Sequence, residues 1–276
     1  MKFTKMQGLG NDYVYINCFD EVVQNPSSLS IKLSDRHFGI GSDGIVLIEK
    51  SDVADFKMRM FNPDGLEAEI CGNASRCVGK YVYEKHLTSK TNISLETLSG
   101  IKYLNLDVQD GIVKSITVDM GEPILKSSLI PVNSNLENFI NQEIFVSGEK
   151  FNVTCVSMGN PHAIIYVSDV QTFPVSYWGK KIEYLDLFPK KANVEFVQML
   201  DRSTLKMRVW ERSTGETLAC GTGACATVVA SSLNGLSNNK ATVRLIGGDL
   251  SIEWNKNNNH VYMTGPCEFV FDGTLF

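Results

Sequence analysis

Two stretches of this chain are copies of one another. Phe56–Gly72 reads FKMRMFNPDGLEAEICG and Leu205–Gly221 reads LKMRVWERSTGETLACG, aligned without a gap at an offset of 149 residues. Six of the 17 positions are identical: Lys57/Lys206, Met58/Met207, Arg59/Arg208, Glu67/Glu216, Cys71/Cys220 and Gly72/Gly221. Unrelated stretches of average composition would share about one. The same offset pairs Gly10-Asn11 with Gly159-Asn160. A period near half of the 276 residues predicts two similar lobes, not a solenoid.

Both copies predict one local plan. An apolar strand leads into a polar turn (Asn62-Pro63-Asp64-Gly65, or Glu211-Arg212-Ser213-Thr214-Gly215), then Cys-Gly, then a small-residue helical run. A cysteine at a helix start sits beside N–H groups that have no intrahelical acceptor and beside the positive end of the dipole. Such a place binds a carboxylate and favours a thiolate. Two lobes facing each other would bring Cys71 and Cys220 to one cleft. That pair suits a two-base device: one thiolate removes a proton from carbon, and the other thiol delivers one to the opposite face. The carbanion formed on the way needs the helix N–H groups on its carboxylate.

Composition narrows the alternatives. The net charge is −5 and no Lys/Arg cluster forms a basic stripe, which argues against nucleic acid and anionic membrane as partners. No apolar run reaches the length of a membrane span or, at Met1–Gly8, the core of a signal peptide. Seven cysteines, an odd count, predict thiols in a reducing cytoplasm. The five residues between Cys71 and Cys77 fit zinc spacing poorly and the four between Cys220 and Cys225 only marginally, so no metal is expected. The Gly8-Leu9-Gly10-Asn11-Asp12 turn lacks the third glycine and the helix of a dinucleotide site.

The rest of the chain predicts strands with one apolar helix per lobe. Period-two runs at 93–97, 103–108 and 112–118, with Asp110-Gly111 between the last two, read as antiparallel strands and a hairpin. A helix is expected near 176–186 and strands at 242–246, 249–254 and 260–264. The Asn-rich stretch 124–143 reads as a polar connection between lobes. Cys18, Cys77, Cys155, Cys225 and Cys267 read as packing residues.

Six segments, in order, make the chain resemble the diaminopimelate epimerase family over essentially its whole length. They are Gly8–Asp12; Asp35-Arg36-His37-Phe38-Gly39-Ile40-Gly41; Phe61–Gly65 with Cys71-Gly72-Asn73; Ser157-Met158-Gly159-Asn160-Pro161-His162; Asn193-Val194-Glu195-Phe196; and Glu211-Arg212 with Gly215–Gly223. The resemblance implies an α+β fold of two pseudo-symmetric lobes, each a curved antiparallel sheet or barrel around a central helix. The lobes are expected at 1–116, with 265–276 packing back on it, and at 117–264. The activity implied is cofactor-independent interconversion of LL- and meso-2,6-diaminopimelate in lysine and peptidoglycan precursor synthesis, by a cytoplasmic homodimer.

The family pattern implies a role for each site residue. Cys71 and Cys220 are the acid/base pair, supported by His162 and Glu211. Gly72-Asn73 and Gly221-Thr222 hold the reacting α-carboxylate. Asn62, Asn160, Asn193 and Arg212 hold the distal one. Asn11 contacts substrate and Glu211 accepts from an amino group. Three positions depart from the pattern: Gly44 where many members carry Gln, Ala74 where Gly is commoner, and Phe271 where a Tyr often supports the dimer. Two alternatives keep their place at this stage: a related racemase acting on histidine or lanthionine, and a thiol redox or metal-binding module.

Overall fold

The computed structural model describes residues 1–69 and 71–276, and Ile70 of the first repeat copy lies outside them. The chain divides into two compact units, Met1–Asp119 with Thr264–Phe276, and Met120–Met263. The first boundary falls three residues later than the expected 116/117, because the strand that begins at Ile112 runs unbroken to Asp119.

Unit 1 contains β1 (Lys2–Gly8), β2 (Asn11–Asn17), α1 (Pro26–Ser34), β3 (Ile45–Glu49), β4 (Phe56–Phe61), β5 (Glu67–Ala68), α2 (Gly72–Glu84), β6 (Asn92–Thr97), β7 (Gly100–Gln109), β8 (Ile112–Asp119) and a C-terminal strand, Glu268–Thr274. β1–β2, β3–β4, β4–β5, β6–β7 and β7–β8 pair antiparallel, and β1 also pairs antiparallel with the C-terminal strand, Lys2 opposite Thr274. Two pairings are parallel, β2 with β3 and β4 with β6. The sheet is mainly antiparallel, as expected, with these parallel pairs inserted in it. A parallel pair needs a crossover, and α1 and α2 lie in these two. β2 and β3 are buried on both faces. Val14, Ile16, Ile45 and Leu47 point to one side, where Leu33 of α1 joins their cluster. Alternation puts Tyr13, Tyr15 and Val46 on the other side, where Tyr15 meets Cys77 of α2.

Unit 2 follows the same plan with β9 (Gln142–Val146), β10 (Glu149–Ser157), β11 (Pro161–Tyr166), α3 (Val175–Glu183), β12 (Asn193–Asp201), β13 (Thr204–Glu211), β14 (Gly215–Thr217), α4 (Gly221–Leu233), β15 (Lys240–Leu245) and β16 (Gly248–Trp254). β11 and β12 run parallel around α3, and β13 and β15 run parallel around α4. The repeat offset holds at the level of register. Val14 opposes Ile45 as Ala163 opposes Val194, and Ile45 opposes Phe61 as Val194 opposes Trp210. Ala163, Ile165, Val194 and Phe196 face the cluster that holds Val175 and Ile182 of α3. Alternation turns His162 and Glu195 to the opposite face.

The stretch 124–143 is not a loose connection. It belongs to unit 2, bridges β10 at Ile124 opposite Ser157, and buries Ile130, Val132 and Phe139 in that unit's core. Ile130 and Val132 flank Pro131, and asparagines and serines follow before Phe139, so the stretch carries no regular strand or helix signal.

Candidate active site

Both repeat copies end in the same device. Cys71 is the N-cap of α2, in extended conformation (φ −134°, ψ 118°), and its sulfur accepts from the Ala74 N–H. Cys220 caps α4 with φ −117° and ψ 109°, and accepts from the Gly223 N–H at 3.4 Å. Gly72-Asn73 and Gly221-Thr222 are the first two residues of their helices. Helix geometry leaves their N–H groups unspent by i→i−4 bonds, so each thiol sits beside a ready carboxylate cradle.

In unit 1 the cap is tied to the opening turn. The Cys71 thiol donates to Oδ1 of Asn11 at 3.2 Å, and Asn73 Nδ2 donates to the same oxygen at 3.4 Å. The amide is fixed from behind, because Asn11 Nδ2 donates to Asp43 at 2.7 Å. Asp43 is held by Arg36 at 2.9 Å, and Arg36 also reaches Asp12 at 2.8 Å. Lys5, buried, meets Asp12 at 2.6 Å and also donates to the Gly41 carbonyl. Burial pushes the Asp12 carboxyl up, but the hydrogen bonds of Arg36 and Lys5 outweigh it and hold it below its ordinary value. Asn62 lies in this unit, half-buried, at the turn that closes β4, and its carbonyl accepts from Ser30 at 2.7 Å. Gly44 has φ +144°, and a Cβ there would lie 2.2 Å from the Phe61 carbonyl oxygen. No side chain fits on that backbone, so the family's Gln is excluded by conformation as well as by identity.

In unit 2 a chain of polar contacts starts at Cys220. Its sulfur lies 3.5 Å from Thr222 Oγ1, which accepts from Asn160 Nδ2 at 3.3 Å. Asn160 Oδ1 faces His162 Nε2 at 3.0 Å, and His162 Nδ1 faces Glu195 Oε1 at 2.7 Å. His162 and Glu195 are fully buried. Glu211 is half-buried at the end of β13 and accepts from the Thr217 hydroxyl. Asn193 turns out to be spent largely on the protein. Its Oδ1 accepts from the Arg212 N–H and its Nδ2 donates to the Pro161 carbonyl, both at 2.9 Å. It therefore sets the position of Arg212. The exposed Arg212 guanidinium makes a 3.2 Å bond to the Lys190 carbonyl through Nη1, which leaves its other nitrogens for an anion.

The helix-start expectation needs one correction. Burial is the largest influence on Cys220, and the carboxylates of Glu211 and Glu195 add to it, pushing the thiol well above its ordinary value. Thr222 and the Gly223 N–H pull the other way and lose. Cys18 and Cys155 are also pushed up by burial, Cys18 to about 11, as befits packing residues.

Glu195 is the residue that residue-by-residue reading passed over. The signal was present: an acidic residue in the middle of the apolar strand Val194-Glu195-Phe196-Val197. His162, Glu195 and Cys220 bring one donor atom each within 4.8 Å of one another. Two of the three already bond each other at 2.7 Å.

Residues 3–126 and 154–270 match the family model described as diaminopimelate epimerase. Relatives named diaminopimelate epimerase include one from Acetivibrio thermocellus, 65% identical, covering 100% of this chain and 98% of the relative. Another, from Methanococcus maripaludis, is 60% identical and covers 100% and 99%. Among solved structures, a Bacillus anthracis phenazine biosynthesis protein of the PhzF family has a TM-score of 0.73 at 15% identity, covering 100% of this chain and 99% of that one. A hydroxyproline epimerase from Agrobacterium vitis has a TM-score of 0.68 at 15% identity, with 99% and 90% covered. These two share the fold. Among the described residues, no helix is long and apolar enough to cross a membrane.

Proposed function

Since this chain belongs to the diaminopimelate epimerase family, we propose that Cys71 and Cys220 carry out its reaction as a two-base pair. The protein is an isomerase that interconverts LL- and meso-2,6-diaminopimelate in lysine biosynthesis. One thiolate takes the α-proton and leaves a carbanion. The other thiol gives its proton to the opposite face, and the two sulfurs end with exchanged protonation states. The observation that carries this reading is the matched pair of N-cap thiols, each in extended conformation with its sulfur receiving an N–H from its own helix.

The remaining residues take roles their contacts support. The N–H groups of Gly72, Asn73, Gly221 and Thr222 bind the α-carboxylate and stabilise charge as it grows on the α-carbon. Arg212, positioned by Asn193, binds the distal carboxylate with Asn62 and Asn160. Asn11 and Glu211 hold the amino groups. His162 supports Cys220 through Asn160 and Thr222. A homodimer goes with this reading, supported by the exposed apolar side chains Val270 and Phe271 on the C-terminal strand. A cytoplasmic location goes with it as well, because the mechanism needs both thiols reduced.

One incubation in D2O tests the proposal. Reduced protein is given LL-diaminopimelate, and stereochemistry and mass are followed together. The expected result is deuterium at the α-carbon of the meso isomer, with net inversion abolished in both Cys71→Ala and Cys220→Ala. Inversion that survives either substitution would remove the two-thiol mechanism. Histidine and lanthionine, run in parallel, would reveal a different preferred substrate.

A further inference from the structure

The two units agree in backbone register, so positions where they differ chemically stand out. Glu195 is the sharpest. Its place in unit 1, at the 149-residue offset, is taken by Val46, which is also fully buried. His162 corresponds to Tyr13 and Gly223 to Ala74. The strand position that holds a buried carboxylate near the cap thiol in unit 2 holds a valine in unit 1.

The surroundings are built for that carboxylate. Oε1 bonds His162 Nδ1 at 2.7 Å, while Oε2 is buried with no hydrogen-bond partner. A Cβ at Gly223 would lie 2.6 Å from Oε1 and 3.2 Å from the Cys220 sulfur. Unit 1, with Val46 in place of the acid, carries the methyl of Ala74 at the same helix position. The glycine in α4 makes room for the acid, and the acid overlies the first turn of the helix beside the sulfur. An unpartnered buried oxygen costs free energy and calls for an explanation.

We propose that Glu195 is a positioning residue that locks the His162 ring and holds the proton on the Cys220 sulfur, at a strand position that Val46 fills in unit 1. The proposal rests on the reading of Cys220 as one of the two reacting thiols. His162, flanked by Glu195 and the Asn160 carbonyl, keeps Asn160 and Thr222 in line with the sulfur. The Glu195 carboxylate places negative charge beside the sulfur, where a thiolate would form. The groups facing Cys220 are Glu195 from β12, Glu211 from β13, His162 from β11 by way of Asn160, and Thr222 and the Gly223 N–H from α4. Charge repulsion from two strands opposes the helix N–H groups. In a two-thiol mechanism that fixes Cys220 as a sulfur that rests protonated, ready to act as acid.

The test is a pH titration of the thiolate ultraviolet absorbance of the reduced protein, minus that of its Cys220→Ala form. This difference isolates the one sulfur whether or not reagents reach it. The native protein is expected to titrate above the ~8.5 of an ordinary thiol. In Glu195→Gln, which keeps shape and removes charge, the midpoint should fall by about one to two pH units. Glu195→Asp, which keeps the charge but draws it back, should lie between. An unchanged midpoint in folded Glu195→Gln would overturn the proposal. So would a native midpoint at or below that of an ordinary thiol, which needs no substitution at Glu195. No substrate is involved, so failure here is distinguishable from failure of the epimerase reading. A shifted titration in a protein inactive on diaminopimelate would sink only the latter.

Discussion

The pairing of Glu195 with Gly223 makes a quantitative demand on the fold. Substituting Gly223→Ala puts a methyl 2.6 Å from Glu195 Oε1, about 0.8 Å inside the 3.4 Å at which ordinary contact begins. The carboxylate cannot retreat without lengthening its 2.7 Å bond to His162, and both side chains are fully buried. Overpacking of a tight core costs ~1–3 kcal/mol, and weakening a hydrogen bond to a charged group costs ~1.5–3 kcal/mol. The two are alternatives as much as additions, since breaking the bond relieves the clash. Alanine's helix propensity returns up to ~1 kcal/mol. The net expectation is a loss of about 1–2 kcal/mol, or roughly 2–8 °C in Tm for a domain of this size. Unit 1 supplies the control. Glu195→Val with Gly223→Ala rebuilds the Val46/Ala74 arrangement, and the alanine should then cost nothing or stabilise slightly. Urea denaturation of the native protein, both single variants and the double variant gives the coupling energy, expected to exceed ~1 kcal/mol. Additivity within ~0.5 kcal/mol would refute the reasoning, because the clash would then not lie between these two groups.

Three further outcomes are expected. Gly44→Gln, which restores the family's commoner residue, should destabilise by at least ~1–3 kcal/mol, since it combines φ +144° with a Cβ 2.2 Å from a carbonyl oxygen; equal thermal stability would show that the 41–44 loop rearranges freely. Asp12→Asn should cost ~1–3 kcal/mol at neutral pH by leaving buried Lys5 without its anion. The folded carboxyl lies below its ordinary value, so its contribution is full above the unfolded pKa and lost as pH falls through the folded one. The native and Asp12→Asn stabilities should therefore converge in acid, as a pH series of urea midpoints would show. Arg212→Lys, which replaces a bidentate fork by a point charge, should raise KM about tenfold or more with a smaller change in kcat; an unaltered KM would take Arg212 out of distal-carboxylate binding.

Much of this architecture is written in the spacing of residues. The 149-residue repeat predicted the internal likeness of the units, and the register of β2 with β3 and of β11 with β12 reproduces that offset residue for residue. The Cys-Gly pairs predicted helix starts, and both cysteines are N-caps. What escaped has physical causes. Parallel pairing is a tertiary choice made by the helix between two strands, and hairpin signals say nothing about it. The core residues of 124–143 are interrupted by Pro131 and by asparagines and serines, which read as connection signals. The helix-start argument about the thiols counted only the helix, which is the part of the electrostatics that is local in sequence. Glu211 and Glu195 arrive beside Cys220 from two strands, nine and 25 positions earlier in the chain. Yet the mark of that encounter was legible once the copies were aligned. Where one unit carries Val46 and Ala74 the other carries Glu195 and Gly223, a larger polar group matched by a smaller neighbour. In such a paired exchange across an internal repeat, the helix gives up a methyl and the longer acidic side chain reaches the space beside the Cys220 sulfur.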